Sequence, residues 1–241
     1  MEIFQDYGLE FIARYGHVIS GITWIGLLYY FNFVQTPSFA AFEAGPRNEA
    51  ISKLVPRALW WFRYGALLTL LFGLWLFVQQ EQYDGDYMKT VPGMSIAAGI
   101  LFALIMFSNV WFVIWPAQKR VIANAEGVLA GREADPGVAP VARRAAVASR
   151  TNTFLSIPML FFMVATSHFA PFFADVQPES GDRVVWWIVI VAVAVIVEGI
   201  ALSVPAAGAP QAKHLDDHKN TIIGGFVLTI LLYLLMEILF G

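Results

Sequence analysis

The sequence contains no cysteine and few charged residues. Only 14% of its 241 residues are Asp, Glu, Lys or Arg, against roughly 25% in an average soluble domain. The absence of cysteine excludes disulfides, thiolate-bound metals, iron–sulfur clusters and covalently attached c-type haem. Because 58% of the residues are hydrophobic, we expect a lipid bilayer to surround the chain, and no nucleic-acid partner.

The hydrophobic residues come in six blocks, each near the roughly 20 residues that a helix needs to cross a membrane. Barrel strands alternate polar and apolar residues over about ten positions, whereas these blocks are apolar on every face. We predict an all-α integral membrane protein, a bundle of about six transmembrane helices forming a single transmembrane domain over residues 1–241. The predicted spans are Phe11–Val34, Ala58–Val78, Met94–Trp115 (interrupted by Asn109), Asn152–Ala174, Val184–Val204 and Thr221–Phe240.

The basic residues predict the orientation, because Lys and Arg accumulate on the cytoplasmic side of membrane proteins. Twelve of the 15 lie in the first, third and fifth connections or, for Arg63, near the adjoining end of a span. We therefore expect a multi-pass protein of the bacterial inner (plasma) membrane with both termini outside. The third connection, residues 117–150, is the most basic. We predict a helical extension over Gln118–Leu129, a break at Asp135 and Pro136, and a helical lead-in to the fourth span.

Two histidines are predicted at one depth in different spans. His17 lies six residues after Phe11, and His168 lies six residues before Ala174. At 1.5 Å per residue, each is about 9 Å below the outer boundary of the membrane. Ionisable groups inside spans usually face a bundle interior or a cavity. Two imidazoles in an apolar slot are suited to the iron of a noncovalent haem b.

The residues around these histidines are compatible with a cofactor site. Gly21 and Trp24 share a helical face with His17, and Phe161 and Ala165 form a stripe with His168. These residues are therefore our candidate haem-binding side chains. Ligation by both histidines or by one remains open. So does the alternative that each imidazole bonds a neighbouring carbonyl or lies at the wet interface.

Other polar residues give weaker predictions. Asn109 and Glu198 lie at a similar depth and are candidate catalytic residues of a proton relay or substrate contact, with an interhelical hydrogen bond as the alternative. Glu237 could orient an imidazole. His214 and His218 could form a metal-binding face if their segment is helical, although a solvated loop is the preferred interpretation.

Four strings carry a resemblance to a known family. They are HVISGITWIGLLYYFNF (17–33), ALWWFRYGALLTLLFGLWL (58–76), NVWFVIWPAQKRVIANA (109–125) and RTNTFLSIPMLFFMVATSHF (150–169). They resemble the N-terminal membrane domain of the PuuD-type urate hydroxylase/oxidase family. The first span is also similar to that of HemJ-type haem membrane proteins, which supports His17 as a haem ligand.

The resemblance implies a membrane-bound oxidoreductase, because members of this family oxidise urate and pass electrons through a C-terminal cytochrome c. This sequence contains no CxxCH. We therefore expect a separate cytochrome c or a respiratory complex to accept electrons on the outer, periplasmic side. The alternative is a noncatalytic membrane subunit of an electron-transfer complex, which could also be oligomeric. A transporter that uses Asn109 and Glu198 is a third hypothesis, but paired Gly/Pro interruptions are not evident.

Overall fold

The structure, a computed structural model, describes residues 4–169, 177–204 and 207–241. It is all-α, with no strand in these ranges. Six helices are long and apolar enough to cross a membrane, which confirms the prediction of a multi-pass membrane protein with six spans. They are Asp6–Ala41, Val55–Gln79, Val91–Leu129, Val138–His168, Ser180–Leu202 and His218–Phe240. The predicted end of the fourth span, residues 170–174, lies outside the described residues.

Shorter segments subdivide these spans and connect them. The α-helices are α1 (Asp6–Tyr29), α2 (Thr36–Ala41), α3 (Ala44–Lys53), α4 (Val55–Gln79), α5 (Val91–Ser108), α6 (Trp115–Leu129), α7 (Val138–His168), α8 (Ser180–Leu202) and α9 (His218–Phe240). Two stretches, Tyr87–Lys89 and Pro210–Leu215, form 3₁₀ helices.

Two spans contain a π-helical turn. One covers Tyr30–Gln35, between α1 and α2, and the other covers Asn109–Ile114, between α5 and α6. Pro37 and Pro116 follow these turns at the start of the next helix. A proline lacks an N–H donor and its ring crowds the carbonyl four residues earlier, and a π-helical turn is a common place for a helix to absorb such a defect. The predicted interruption at Asn109 is therefore a π-turn within a continuous helix.

The connections are more helical than the sequence pattern indicated. The predicted extension over Gln118–Leu129 is part of α6, and the chain leaves the helix before α7 begins at Val138. Asn124 stabilises this break, because its side-chain oxygen accepts a hydrogen bond of 2.8 Å from the backbone N–H of Asp135. The first connection contains α3, which was not predicted and which packs against α6.

The chain divides into two compact units, and each is described by itself. The first unit comprises Met1–Leu76 and Phe107–Arg150, and the second comprises Phe77–Met106 and Thr151–Gly241. The single membrane domain of the sequence analysis stays a prediction.

In the first unit, α1 and α4 are antiparallel neighbours. Gly65 of α4 lies against Trp24, since a Cβ at position 65 would be 3.2 Å from the backbone nitrogen of Trp24. Further along α4, Phe72 covers Gly16, where a Cβ would be 2.6 Å from the ring. Residue numbers rise along α1 as they fall along α4, as expected for consecutive spans. Small residues let the two backbones approach closely, which is how membrane helices commonly associate.

In the second unit, α7 packs against both α5 and α9. Ser95 of α5 donates a hydrogen bond of 3.1 Å to the carbonyl of Phe162, and Asn152 donates one of 2.9 Å to the carbonyl of Met106. Gly225 of α9 lies so close to α7 that a Cβ would be 2.9 Å from the carbonyl oxygen of Phe154. Backbone carbonyls and small residues therefore carry much of this packing.

The outer faces of the helices are apolar. In α8, Trp186 and Ile190 are 0% exposed, whereas Ile188 and Val195 are more than 60% exposed. Exposed branched apolar side chains along a 23-residue helix are expected where lipid, rather than water, covers the surface. This exposure supports the assignment of the helices as membrane spans.

Candidate functional site

His17 lies on the face of α1 that meets α4. Its Nδ1 is 2.9 Å from the backbone carbonyl oxygen of Thr69. A carbonyl can only accept a hydrogen bond, so Nδ1 carries the proton and Nε2 is left as the basic nitrogen. Among the described residues, no group forms a hydrogen bond with Nε2. The half-buried imidazole therefore has a defined tautomer and one nitrogen available to a ligand.

Gly73 determines where the imidazole can lie. A Cβ at position 73 would be 3.0 Å from Cε1 and 3.1 Å from Nδ1 of His17. These distances are tighter than ordinary contacts, so a larger residue would displace the ring. Gly73 and the Thr69 carbonyl, one turn earlier, both contact the Nδ1 edge of the ring. The contact explains why the histidine is buried in a helix pair although imidazole is polar.

Gly21 and Trp24, the other candidate cofactor residues of the first unit, have different surroundings. Gly21 is half-exposed, and a Cβ there would meet only Thr69 Cγ2, at 3.9 Å. Trp24 is 2% exposed, and its Nε1 is buried with no hydrogen-bond partner. A buried N–H without a hydrogen-bond partner lowers the stability of the folded state. Gly21 leaves space beside the imidazole, whereas Trp24 is part of the core.

His168 is the last residue of α7 and is exposed. Two candidate cofactor residues, Phe161 and Ala165, line a cleft on the same side of α7 together with Tyr233. The cleft has room for about one water molecule, so it does not accommodate a porphyrin as it stands. Tyr233 donates a hydrogen bond of 2.5 Å to Glu237, which gives this carboxylate a partner on its own helix.

The paired predictions fall in different units. His17 belongs to the first unit and His168 to the second, and the same holds for Asn109 and Glu198. Asn109 is 2% exposed at the start of its π-turn, and Glu198 is half-buried in α8. Ligation by two histidines and the proton relay therefore stay predictions.

Sequence reasoning missed Asn32, which is 3% exposed in the other π-turn. Its amide donates to the carbonyl of Leu28 at 2.9 Å and to the hydroxyl of Ser149 at 2.8 Å. A signal was present, because both buried asparagines precede a proline at the start of the next helix. Asn32 cross-links the π-turn to α7 within the first unit.

The segment with His214 and His218 is neither a regular metal-binding face nor a solvated loop. His214 is half-buried at the end of a 3₁₀ helix, with its ring 5.4 Å from that of Phe154. Burial lowers the pKa of His214 below its ordinary value, against the opposing charge of Asp216. His218 begins α9 beside Asp217. Among the described residues, no three His, Cys, Asp or Glu side chains gather as a metal ion held by protein ligands alone would require.

The fold and these contacts define a multi-pass, all-α membrane protein with an imidazole held between two of its helices. Residues 90–204 match the model of the family described as urate oxidase N-terminal. The match covers 115 of the 241 residues and confirms the resemblance predicted from the sequence. It includes Asn109 and His168, while His17 lies outside it. No curated protein and no solved structure gives a match to the chain.

Proposed function

We propose that this protein is a haem b-containing membrane redox protein, related to the membrane domain of urate oxidases, that passes electrons to an acceptor on the outer side. The observation that carries the proposal is the hydrogen bond from His17 Nδ1 to the Thr69 carbonyl. Histidines that bind metals almost always donate their other ring N–H to a carbonyl or carboxylate. His17 has this arrangement before any ligand is present.

The residues of the first unit fit an axial ligand to haem. Donation to Thr69 fixes the ring orientation and raises the basicity of Nε2, the nitrogen that would hold the iron. Gly73 keeps the ring in place, and Gly21 leaves the adjacent surface open. Bound there, haem would supply a one-electron carrier whose potential depends on its axial ligands and on burial.

His168 is proposed as the second ligand on the sequence argument alone. His168 is exposed and forms no hydrogen bond of its side chain within the described residues. A single-ligand site at His17 is the alternative. The two schemes differ in spectrum, because loss of one of two histidines converts a low-spin haem into a five-coordinate one, whereas loss of the sole ligand releases it.

The test is the visible spectrum of the purified full chain, recorded as a reduced-minus-oxidised difference. We expect a b-type α-band that disappears in His17→Ala. The matched control is His218→Ala, which removes an imidazole at the start of α9 and should leave the band unchanged. Absence of the band from the unaltered protein would overturn the haem proposal and favour a noncatalytic subunit.

The outer location of the acceptor rests on the charge asymmetry of the connections. Because the chain has no cysteine, single cysteines can be introduced without background labelling. Gly85→Cys lies in a predicted outer connection, in open space, and Glu133→Cys lies in a predicted inner one. In intact cells, a membrane-impermeant maleimide should label the first variant and spare the second. The reverse pattern would invert the orientation.

A further inference from the structure

Arg63 of α4 is stacked on a tryptophan instead of being paired with a carboxylate. Its guanidinium carbon lies 3.4 Å from the centroid of the Trp115 ring and 5.4 Å from that of Trp111. The Nε atom is buried and has no hydrogen-bond partner. Within the described residues, no Asp or Glu lies within ion-pair distance of Arg63. The guanidinium thus contacts aromatic rings, while its buried Nε–H has no hydrogen-bond partner among the described residues.

A second cation shares the same aromatic ring. Lys119, one helical turn after Trp115, places its Nζ 5.7 Å from the centroid of the Trp115 ring. It is exposed and, among the described residues, makes no ion pair with a carboxylate. Two positive charges therefore contact one indole, and no carboxylate of the described residues pairs with either. Like charges at such a site repel each other unless an anion lies between them.

The surroundings place this pair at the level of the lipid headgroups. Trp60 and Trp61, one turn before Arg63, are 47% and 60% exposed, and Phe112 is 75% exposed. Exposed tryptophans at the end of a membrane span mark the interface, where a ring contacts hydrocarbon on one side and polar groups on the other. An anion bound here would have an apolar surface immediately beside it.

We propose that Arg63 and Lys119, the two cations that contact the Trp115 ring, form a binding site for a phosphate group. A guanidinium offers a planar fork that bonds two phosphate oxygens, and an ammonium adds a point charge. A phosphate can come from the headgroup of an anionic phospholipid or from free phosphate in solution. The adjacent apolar surface of Phe112 suits the acyl chains of a lipid. This site is independent of the haem proposed at His17.

The test uses the full chain purified in detergent and analysed by native mass spectrometry. The probes are phosphatidylglycerol, a diacylglycerol with the same acyl chains, and inorganic phosphate. For the unaltered protein we expect retention of phosphatidylglycerol and none of diacylglycerol. Arg63→Gln combined with Lys119→Gln should weaken binding about 10-fold or more, because each basic residue near the surface contributes several-fold to the affinity.

The control removes the same charge elsewhere in the first unit. Lys53→Gln combined with Arg57→Gln replaces two exposed cations near the start of α4 and should change binding less than twofold. A milder variant, Arg63→Lys, keeps the charge but loses the planar fork. It should bind several-fold more weakly while retaining the helical content and elution volume of the unaltered protein.

The outcomes distinguish the sources of phosphate. Selective loss of phosphatidylglycerol in the Arg63 and Lys119 variant identifies a lipid site. Inorganic phosphate that binds in place of the lipid and is lost in the same variant identifies the same site with a soluble ligand. Equal weakening in both charge-removal variants, or equal retention of diacylglycerol, would overturn the proposal.

Discussion

Gly73 of the first unit and Gly225 of the second have contrasting roles. In the first unit, Gly73 leaves room for a polar side chain, because the imidazole of His17 lies where a Cβ would otherwise contact it. In the second unit, Gly225 leaves room for the neighbouring helix itself, with the Phe154 carbonyl 2.9 Å from a Cβ position. The same residue type therefore positions a candidate ligand in one unit and brings two helices together in the other. Substitutions at the two glycines should separate binding from stability.

The largest effect is expected at Gly225. In Gly225→Ala, the added carbon would be 2.8 Å from Ile157 and 2.9 Å from backbone, so a helix must move. We expect the free energy of unfolding to fall by about 1–3 kcal/mol, as for overpacked cores, measured by unfolding in mixed detergent micelles. Gly199→Ala, in open space on α8, is the control and should not destabilise. Equal free energies of unfolding for the two variants would show that α9 can move away from α7 without loss of stability.

Gly73→Ala is expected to act on the ligand more than on the fold. The added carbon displaces the His17 ring by a few tenths of an ångström, because it would be 3.0–3.1 Å from two ring atoms. Disturbing the support of a metal-binding histidine typically weakens affinity about 10- to 100-fold, and we expect the lower end in a haem titration. The control is Gly26→Ala, which meets nothing within 4 Å. Unchanged haem affinity in Gly73→Ala would remove the positioning role.

A smaller effect is expected where a hydroxyl links two helices of the second unit. Ser95→Ala removes the hydrogen bond to the Phe162 carbonyl and should lower the free energy of unfolding by about 0.6 kcal/mol, as such bonds between membrane helices average. Ser203→Ala, which loses only a bond to Ile200 at the exposed end of α8, is the control. The Phe162 carbonyl still accepts a hydrogen bond of 2.8 Å from the Thr166 hydroxyl. A loss above about 2 kcal/mol would therefore show that Ser95 contributes more than this one hydrogen bond.

The smallest effect concerns the imidazole packed in the second unit. Burial lowers the pKa of His214, so its folded-state pKa lies below 6.5. As the pH falls through 6.5, the unfolded chain takes up the proton first, and His214 then opposes folding. In Phe154→Ala the His214 pKa should rise toward 6.5, which an NMR titration can measure. The control is Phe226→Ala, which removes an exposed ring and should leave the His214 pKa unchanged. If the His214 pKa is unchanged in Phe154→Ala, residues other than Phe154 bury the imidazole.

The spans were predictable because composition alone distinguishes them. A run of apolar residues is stable in lipid whichever neighbour it meets, and the helix satisfies its own backbone hydrogen bonds. The predicted block Ala58–Val78 accordingly falls within α4, and Val184–Val204 overlaps α8. The helical connection α3 was missed, because its polar residues show no long apolar run and it is supported by packing on α6.

The environment of His17 was only partly predictable. Helical periodicity placed Gly21 and Trp24 on its face, but it could not identify Thr69, 52 residues away, as the hydrogen-bond partner. It also could not show that Phe72 of α4 covers Gly16 of α1. Such contacts depend on the rotation and register of α4 against α1, which periodicity within one helix does not encode.

The sequence by itself determined that this chain forms six apolar helices and carries histidines inside or beside them, because burial in lipid depends on the composition of each segment. Only the tertiary structure decided that His17 Nδ1 donates to Thr69 and leaves Nε2 available. It also decided that Arg63 lies on Trp115, with no carboxylate partner in the part of the chain that the structure describes. Hydrogen bonds and ring contacts act over a few ångströms. They are therefore settled by how helices distant in the sequence pack against each other.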